Sequence, residues 1–224
     1  MAGDTLAEAI AYELRREILR GNLPPGAPIK ERDNAERQGV SRTPMREAIR
    51  ILAKEGLVVL RPLRSPVVAD PSLDEVVDQV RVLHALELLS GELACEKASD
   101  AEIAAIGLLK DRIEAIYGQA DPLDVFELDM QFHAAIVAAS HNTALAQTHG
   151  SYMARLWRAR YLSARRKLSR ERVLAQHRAI HTALAARDAT DIKARIDGHL
   201  GAMIANIRDH FHEETGPMKD LPEE

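Results

Sequence analysis

The sequence predicts a mainly α protein in two parts: a small N-terminal module closed by a two-stranded β-hairpin, then an all-α antiparallel helical bundle. Three observations predict it. Residues 39–60, GVSRTPMREAIRILAKEGLVVL, pass from a sharp turn into one amphipathic helix and leave it at a glycine. LVVL, the turn RPLRSP and the short VVA behind it have the apolar, β-branched runs of a hairpin. From residue 73 onward the periodic segments recur only at helical spacing.

The helix after Gly39 is the most informative element. Ser41 stands where an N-cap hydroxyl accepts from the first free N–H groups. Pro44 lies near the first turn, where a missing N–H costs little. Met45, Ala48, Ile49, Leu52 and Ala53 make one buried face, and Gly56 is the stop. Arg42, Thr43, Arg46 and Arg50 fall off that face, toward the end that a helix-turn-helix inserts into the major groove of DNA. The module is therefore read as a winged helix-turn-helix, and Arg64 in the wing turn joins these arginines as a DNA contact.

Charge supports the same division. Net charge is only −4, but residues 25–64 hold nine Lys/Arg against five Asp/Glu while the chain beyond residue 70 is acidic. A basic end on an acidic chain suits nucleic-acid binding at one end and excludes a general polyanion binder. Aromatic residues make up 4% of the chain, too few for a binder that stacks bases on rings. The single cysteine, Cys95, cannot form an internal disulfide, and its alanine-rich surroundings suggest a small buried group in a reducing, cytoplasmic setting. No run approaches the roughly 20 apolar residues that span a bilayer, so no membrane partner is expected.

The boundary falls at ADPSLDE, residues 69–75, where Pro71 breaks structure and Asp74 and Glu75 favour a helix start. This gives a module over 1–70, a bundle over 71–214 and a polar, proline-bearing tail over 215–224 that is expected to be disordered. Bundle helices are expected near 73–98, 100–118, 122–139, 142–163, 169–187 and 189–213.

Three of these helices carry polar residues on the stripe that should face the core. The stripes read Phe126, Asp129, His133, Ile136; then Val173, His177, Ile180, Leu184; then Ile192, Ile196, His199, Met203, Ile207. Asp129 and His133 are four apart and share a face. Burying a carboxylate and three imidazoles unpaired is costly. A shared divalent cation removes the cost, and it wants a deprotonated carboxylate and neutral imidazoles. One Asp with three His suits Zn, Ni, Mn or Co and leaves one or two coordination positions open.

VSRTPMREAIRILAKEGLV resembles the signature of the GntR family of bacterial winged-helix repressors, and AEAIAYELRREILRGNLPPGAPIKERDNAERQGV is similar to that family's first helix, turn and second helix. The resemblance implies DNA contacts at Arg32, Arg42 and Arg46, with Ser41 and Thr43 beside them. Asn34 and Gln38 stand where the family usually has leucine, and Ser65 where its wing usually has glycine. Each lost aliphatic side chain is expected to cost the module about 1.5–3 kcal/mol. Residues 73–213 resemble the FCD subgroup, named for the C-terminal domain of the fatty-acid regulator FadR. The Asp129–His133 spacing, QHRAIHTALAARDA and the histidine of DGHL carry that resemblance. It implies a metal held by Asp129, His133, His177 and His199.

The combined expectation is a cytoplasmic homodimer that binds double-stranded operator DNA, as a repressor, and responds to a small carboxylate held at the metal, with Zn first and Ni or Mn next. Effector candidates are His84 and Arg81 on the first bundle helix, His181 one turn beyond His177, and Arg155 and Arg158, which with Arg160 flank Trp157. A guanidinium suits a carboxylate. The rival is a metal-dependent hydrolase using the same site. Against it, the sequence has no His-Asp dipeptide of the helical metal-phosphohydrolase type and no further acid placed as a general base.

Overall fold

The computed structural model describes residues 5–165 and 170–215. The chain divides into two compact units, Met1–Ser72 with Gln147–Arg158, and Leu73–Ala146 with Ala159–Glu224. The segment Gln147–Arg158 groups with the N-terminal unit although it lies within the expected bundle.

In the first unit, α1 (Leu6–Arg20) starts on a capping box in which Thr5 and Glu8 satisfy each other's backbone N–H groups. It ends at Gly21, whose φ of 83° is the left-handed conformation open to glycine. Helix α2 (Glu31–Gln38) is short and polar, and α3 (Arg42–Lys54) is strongly amphipathic. Strands β1 (Val58–Arg61) and β2 (Arg64–Val68) form the antiparallel wing, with Val58 opposite Val68 and Arg61 opposite Arg64. One core ties these elements together. Leu14 and Ile18 of α1, Met45, Ile49 and Leu52 of α3, and Val58 and Val68 of the wing are all buried, with Trp157 of a later helix packed on the cluster.

Two expectations about this unit are corrected. Ser41 has the extended backbone of an N-cap, but its side chain makes no capping hydrogen bond. Asn34 is no missing leucine. It is buried, its Nδ2 donates to the Lys30 carbonyl at 2.9 Å, and its Oδ1 accepts from Arg37 at 2.9 Å. Both ends of the amide are paired, so the position does not carry the desolvation penalty of an orphaned polar group. At the wing, Ser65 is in the strand and offers its carbonyl to Arg61 Nε at 2.9 Å. Leu63 takes the left-handed φ of 56° at the turn and is fully exposed.

The rest of the described elements are helices: α4 (Leu73–Lys97), α5 (Asp100–Ile116), α6 (Pro122–Ala139), α7 (Thr143–Arg165, of which Gln147–Arg158 groups with the first unit), α8 (Arg170–Ala185), α9 (Ala189–Leu200) and α10 (Met203–Thr215). Local chemistry sets the breaks. Ser99 and Glu102 form a second capping box, Asp121 caps α6 with Pro122 in its first turn, and Asp188 caps α9 through the N–H groups of Thr190 and Asp191. Helix α4 packs on α6 and α9, α5 on α6 and α8, and α8 on α9. The short α5–α6 and α8–α9 connections make those pairs antiparallel hairpins. Gly91 lets α4 and α9 close up, since a Cβ there would lie 2.6 Å from Ile196 Cδ1.

The helix expected over 189–213 is two helices. The chain breaks at Gly201 and Ala202, where glycine's poor helix propensity weakens the run. The expected break at Leu168–Ser169 and residues 216–224 of the expected tail lie outside the described residues. Among the described residues no helix is long and apolar enough to cross a membrane.

Candidate metal centre and nucleic-acid interface

On α3, Arg42, Thr43, Arg46 and Arg50 are all exposed, with Ser41 beside them. Their charges rest on neighbouring acids. Arg46 lies 3.3 Å and Arg42 4.0 Å from the Glu31 carboxylate, Arg50 lies 3.3 Å from Glu47, and Arg32 lies 2.9 Å from Glu36. Exposed pairs of this kind are weak and are exchanged readily for phosphate or base contacts. Arg64 is exposed at the start of β2. The sequence-predicted contacts thus lie on α2, α3 and the wing of one compact unit, in solvent.

In the second unit, α6, α8 and α9 bring Asp129, His133, His177 and His199 together. One ligating atom from each lies within 4.8 Å of the others. Asp129 Oδ1 is 2.8 Å from His177 Nε2 and 3.7 Å from His133 Nε2, and the Nε2 atoms of His133 and His199 are 3.2 Å apart. A tetrahedral zinc with bonds near 2.0–2.1 Å sets its ligand atoms roughly 3.3 Å apart. The cluster's spacings lie around that value.

Hydrogen bonds on the outer side of the rings fix which nitrogens face inward. His133 Nδ1 lies 2.7 Å from Glu87 Oε2 and donates to it, which turns Nε2 toward the cluster. Gln176 donates its Nε2 to the Gly198 carbonyl, which turns its Oε1 toward His199 Nδ1 at 3.2 Å. His199 Nε2 then faces the cluster as well. Two ring nitrogens this close, 3.2 Å apart, share a proton or a cation. Asp129 Oδ1 and both ring nitrogens of His177 are buried without a hydrogen-bond partner among the described residues, although Oδ1 and Nε2 are close in distance. Asp129 Oδ1 and His177 Nε2, buried and 2.8 Å apart, converge with the His133 and His199 nitrogens as the donor set of a divalent cation would.

The protonation states suit that role. Burial alone would raise the Asp129 carboxyl, but the charge and proximity of His177, then of His133 and His199, outweigh it and hold the group below the ordinary carboxylate range. Burial pushes the His199 imidazole well below its ordinary value, and repulsion from His177 and His133 adds to the effect. A charged carboxylate and a neutral imidazole are the ligand-competent forms.

The sequence offered Arg160 among three arginines of which one could reach the cavity, but neither its pairing with Glu87 nor the contact of Glu87 with His133 was foreseen. Glu87 of α4 and Arg160 of α7 are both buried, and Arg160 Nη1 donates to Glu87 Oε1 at 2.6 Å while Oε2 takes His133. Glu87 was detectable as a charge on the α4 stripe of Val76, Val80 and Leu83; its partners, far away in sequence, were not. Beside the cluster lies a cavity of about 290 Å³ whose wall includes Asp129, His177, His199, Arg160, Tyr117 and Phe126. Burial pushes the Tyr117 phenol above its ordinary value, and the Asp129 charge adds to this.

None of the five expected effector residues lines this cavity. Arg81 is exposed and pairs with Asp78, and His84 lies 3.1 Å from Asp197. His181 Nε2 donates to the Ile103 carbonyl at 3.2 Å, with its ring against Gly107. Arg155 and Arg158 belong to the first unit, where Arg155 lies over Gly56. Helix phase explains the difference on α7. At about 100° per residue, Arg160 points roughly 140° away from Arg155 and 160° away from Arg158, which puts it on the cavity side.

Comparison with known proteins agrees with this architecture. The family model for bacterial regulatory proteins of the gntR family matches residues 6–68, and the FCD domain model matches residues 78–202. The chain is 30% identical over 204 residues to the HTH-type transcriptional repressor RspR of Escherichia coli strain K12, covering 90% of this chain and 89% of that protein. It is 30% identical over 207 residues to the Nta operon transcriptional regulator of Aminobacter aminovorans, covering 92% and 88%. In structure it is similar to E. coli McbR/YncC, with a TM-score of 0.78 at 21% identity over 93% of this chain and 99% of that one. A winged helix-turn-helix joined to a helical domain defines the class, a DNA-binding transcriptional regulator and not an enzyme. The chain belongs to the GntR family and carries the FCD domain. The hydrolase reading of the Asp/His cluster is thereby set aside.

Proposed function

We propose that the protein is a metal-containing, ligand-responsive repressor. In this reading residues 1–70 bind a pseudo-palindromic operator through Arg32, Ser41, Arg42, Thr43, Arg46, Arg50 and Arg64. Residues 71–214 dimerise, hold one divalent ion, zinc first among Zn, Ni and Mn, and bind a small carboxylate. Two recognition helices then enter successive major grooves. The chain works in the cytoplasm. Its similarity to a protein named as a repressor supports the sign of regulation.

The observation that carries the metal is the convergence of one ligating atom each from Asp129, His133, His177 and His199 within 4.8 Å, with the His133 and His199 Nε2 atoms 3.2 Å apart. A bound divalent ion would supply an open position for a carboxylate oxygen. The chain's own residues do the rest. Glu87 holds the His133 tautomer, Gln176 holds that of His199, and Arg160 offers positive charge at the wall while anchoring Glu87. Helix α7 gives a route to the DNA: Gln147–Arg158 group with the DNA-binding unit, and residues from Arg160 onward line the cavity.

Elemental analysis of protein purified without chelator tests the reading. It predicts one divalent ion per chain, lost in His177→Ala and in His199→Ala and kept in His141→Ala, because His141 is exposed and pairs with Glu102. No metal in the purified protein, and no binding or stabilisation by added Zn, Ni or Mn, would overturn it.

A further inference from the structure

The cavity wall also defines the polarity and size of what it can hold. Each of the three cluster residues on the wall has an apolar residue about one helical turn away on the same side. Val125 and Phe126 precede Asp129, Val173 precedes His177, and Met203 follows His199 across the Gly201 break. One turn is about 5.4 Å, so these side chains make an apolar collar next to the polar floor. Most of the wall is apolar, Tyr117 adds a phenol, and three further polar side chains have partners in the protein. Arg160 donates to Glu87 at 2.6 Å, Asn206 donates to Ser163 Oγ at 3.2 Å, and the Arg165 guanidinium lies over the Tyr161 ring at 5.7 Å. Phe126 packs edge-on against that same tyrosine at 5.3 Å. The volume of about 290 Å³ lies at the small end of ligand pockets, which start near roughly 300 Å³.

We infer that the effector is a monocarboxylic acid with an apolar body, a medium-chain aliphatic or arylalkyl acid, its carboxylate at the Asp129–His177–His199 floor and its body in the collar. The inference rests on the proposed metal-dependent carboxylate site. A sugar acid or a dicarboxylate of the same size would bury hydroxyls or a second charge against Val125, Phe126, Val173 and Met203, where they gain no partners. An acid that presents only methylenes or a phenyl ring gives up nothing there.

Isothermal titration calorimetry on the zinc-loaded full chain tests this with acids of nearly equal size: octanoate and phenylacetate against 2-oxoglutarate and ribonate. The expected result is that octanoate or phenylacetate binds at least tenfold more tightly than either polar acid. Val173→Trp, which fills the collar at a half-buried position, should weaken octanoate at least tenfold and keep one zinc per chain. Equal or tighter binding of the polar acids, or of octanoate to zinc-loaded Val173→Trp, overturns the inference and leaves the metal reading standing. Binding of none of the four acids to zinc-loaded protein overturns it as well. Failure to load zinc at all removes the reading beneath it.

Discussion

His133 and His199 meet through ring nitrogens 3.2 Å apart, turned toward each other because Glu87 and Gln176 take the other side of each ring. The four residues of the cluster were legible in the sequence because each is a polar interruption of an apolar helical stripe. Their supports were less so. The pairing of Glu87 with Arg160 spans 73 residues, and no local pattern records which α7 arginine turns inward. At the DNA surface, Arg42→Ala or Arg46→Ala should each cost about 1–3 kcal/mol of operator binding if the arginine reads a guanine edge. A phosphate contact would instead weaken all sequences alike and lower the salt slope by about one. Gel shift that shows both variants binding like wild type would remove these residues from the interface. Asn34 gives a stability test. Asn34→Ala loses two hydrogen bonds and gains helix propensity, for a net loss of about 1 kcal/mol in urea unfolding; an unchanged midpoint would mean the buried amide contributes nothing.

Helix ends were easier to predict than helix continuity. Ser99 and Asp188 cap where the sequence placed breaks, because a short polar side chain beside a free N–H is a local interaction. The Gly201 break was read through as one helix, since Ile196, His199, Met203 and Ile207 keep helical spacing across it. Ser41 shows the converse, a capping residue in capping backbone whose hydroxyl does not cap. The Ser99 box carries a pH signature. Hydrogen bonds from the Ser99 backbone and side chain, with one from His141, lower the Glu102 carboxyl from 4.5 to about 2. A carboxyl depressed in the folded state adds stability that is present above its ordinary value and is lost as pH falls through the folded one. The melting-temperature gap between wild type and Glu102→Ala should therefore be full at pH 6 and shrink steadily from about pH 4.5 toward 2. A gap that is constant over that range would mean the carboxylate's charge has no part in the cap.

At the scale of the whole molecule, the sequence showed two parts and their classes, since a basic winged module and an acidic helical run differ in both charge and period. It did not show that α7 is shared. Trp157 looks like any bundle aromatic in sequence, yet it packs on the core of the first unit with the Arg15 guanidinium 5.5 Å from its ring. Three residues later Arg160 is part of the cavity wall. If α7 relays occupancy, Trp157→Ala should leave octanoate affinity for the zinc-loaded protein unchanged by calorimetry while reducing the effect of octanoate on operator affinity severalfold. An undiminished effect would place the relay elsewhere.

The most direct test of the account is operator affinity by fluorescence anisotropy, with an operator recovered by selection from random DNA, for zinc-loaded protein with and without octanoate. The account predicts that octanoate weakens operator binding by about tenfold, a coupling of about 1.4 kcal/mol, and that His177→Ala, which still folds and binds the operator, shows no response. Equal sensitivity of wild type and His177→Ala to octanoate would contradict it.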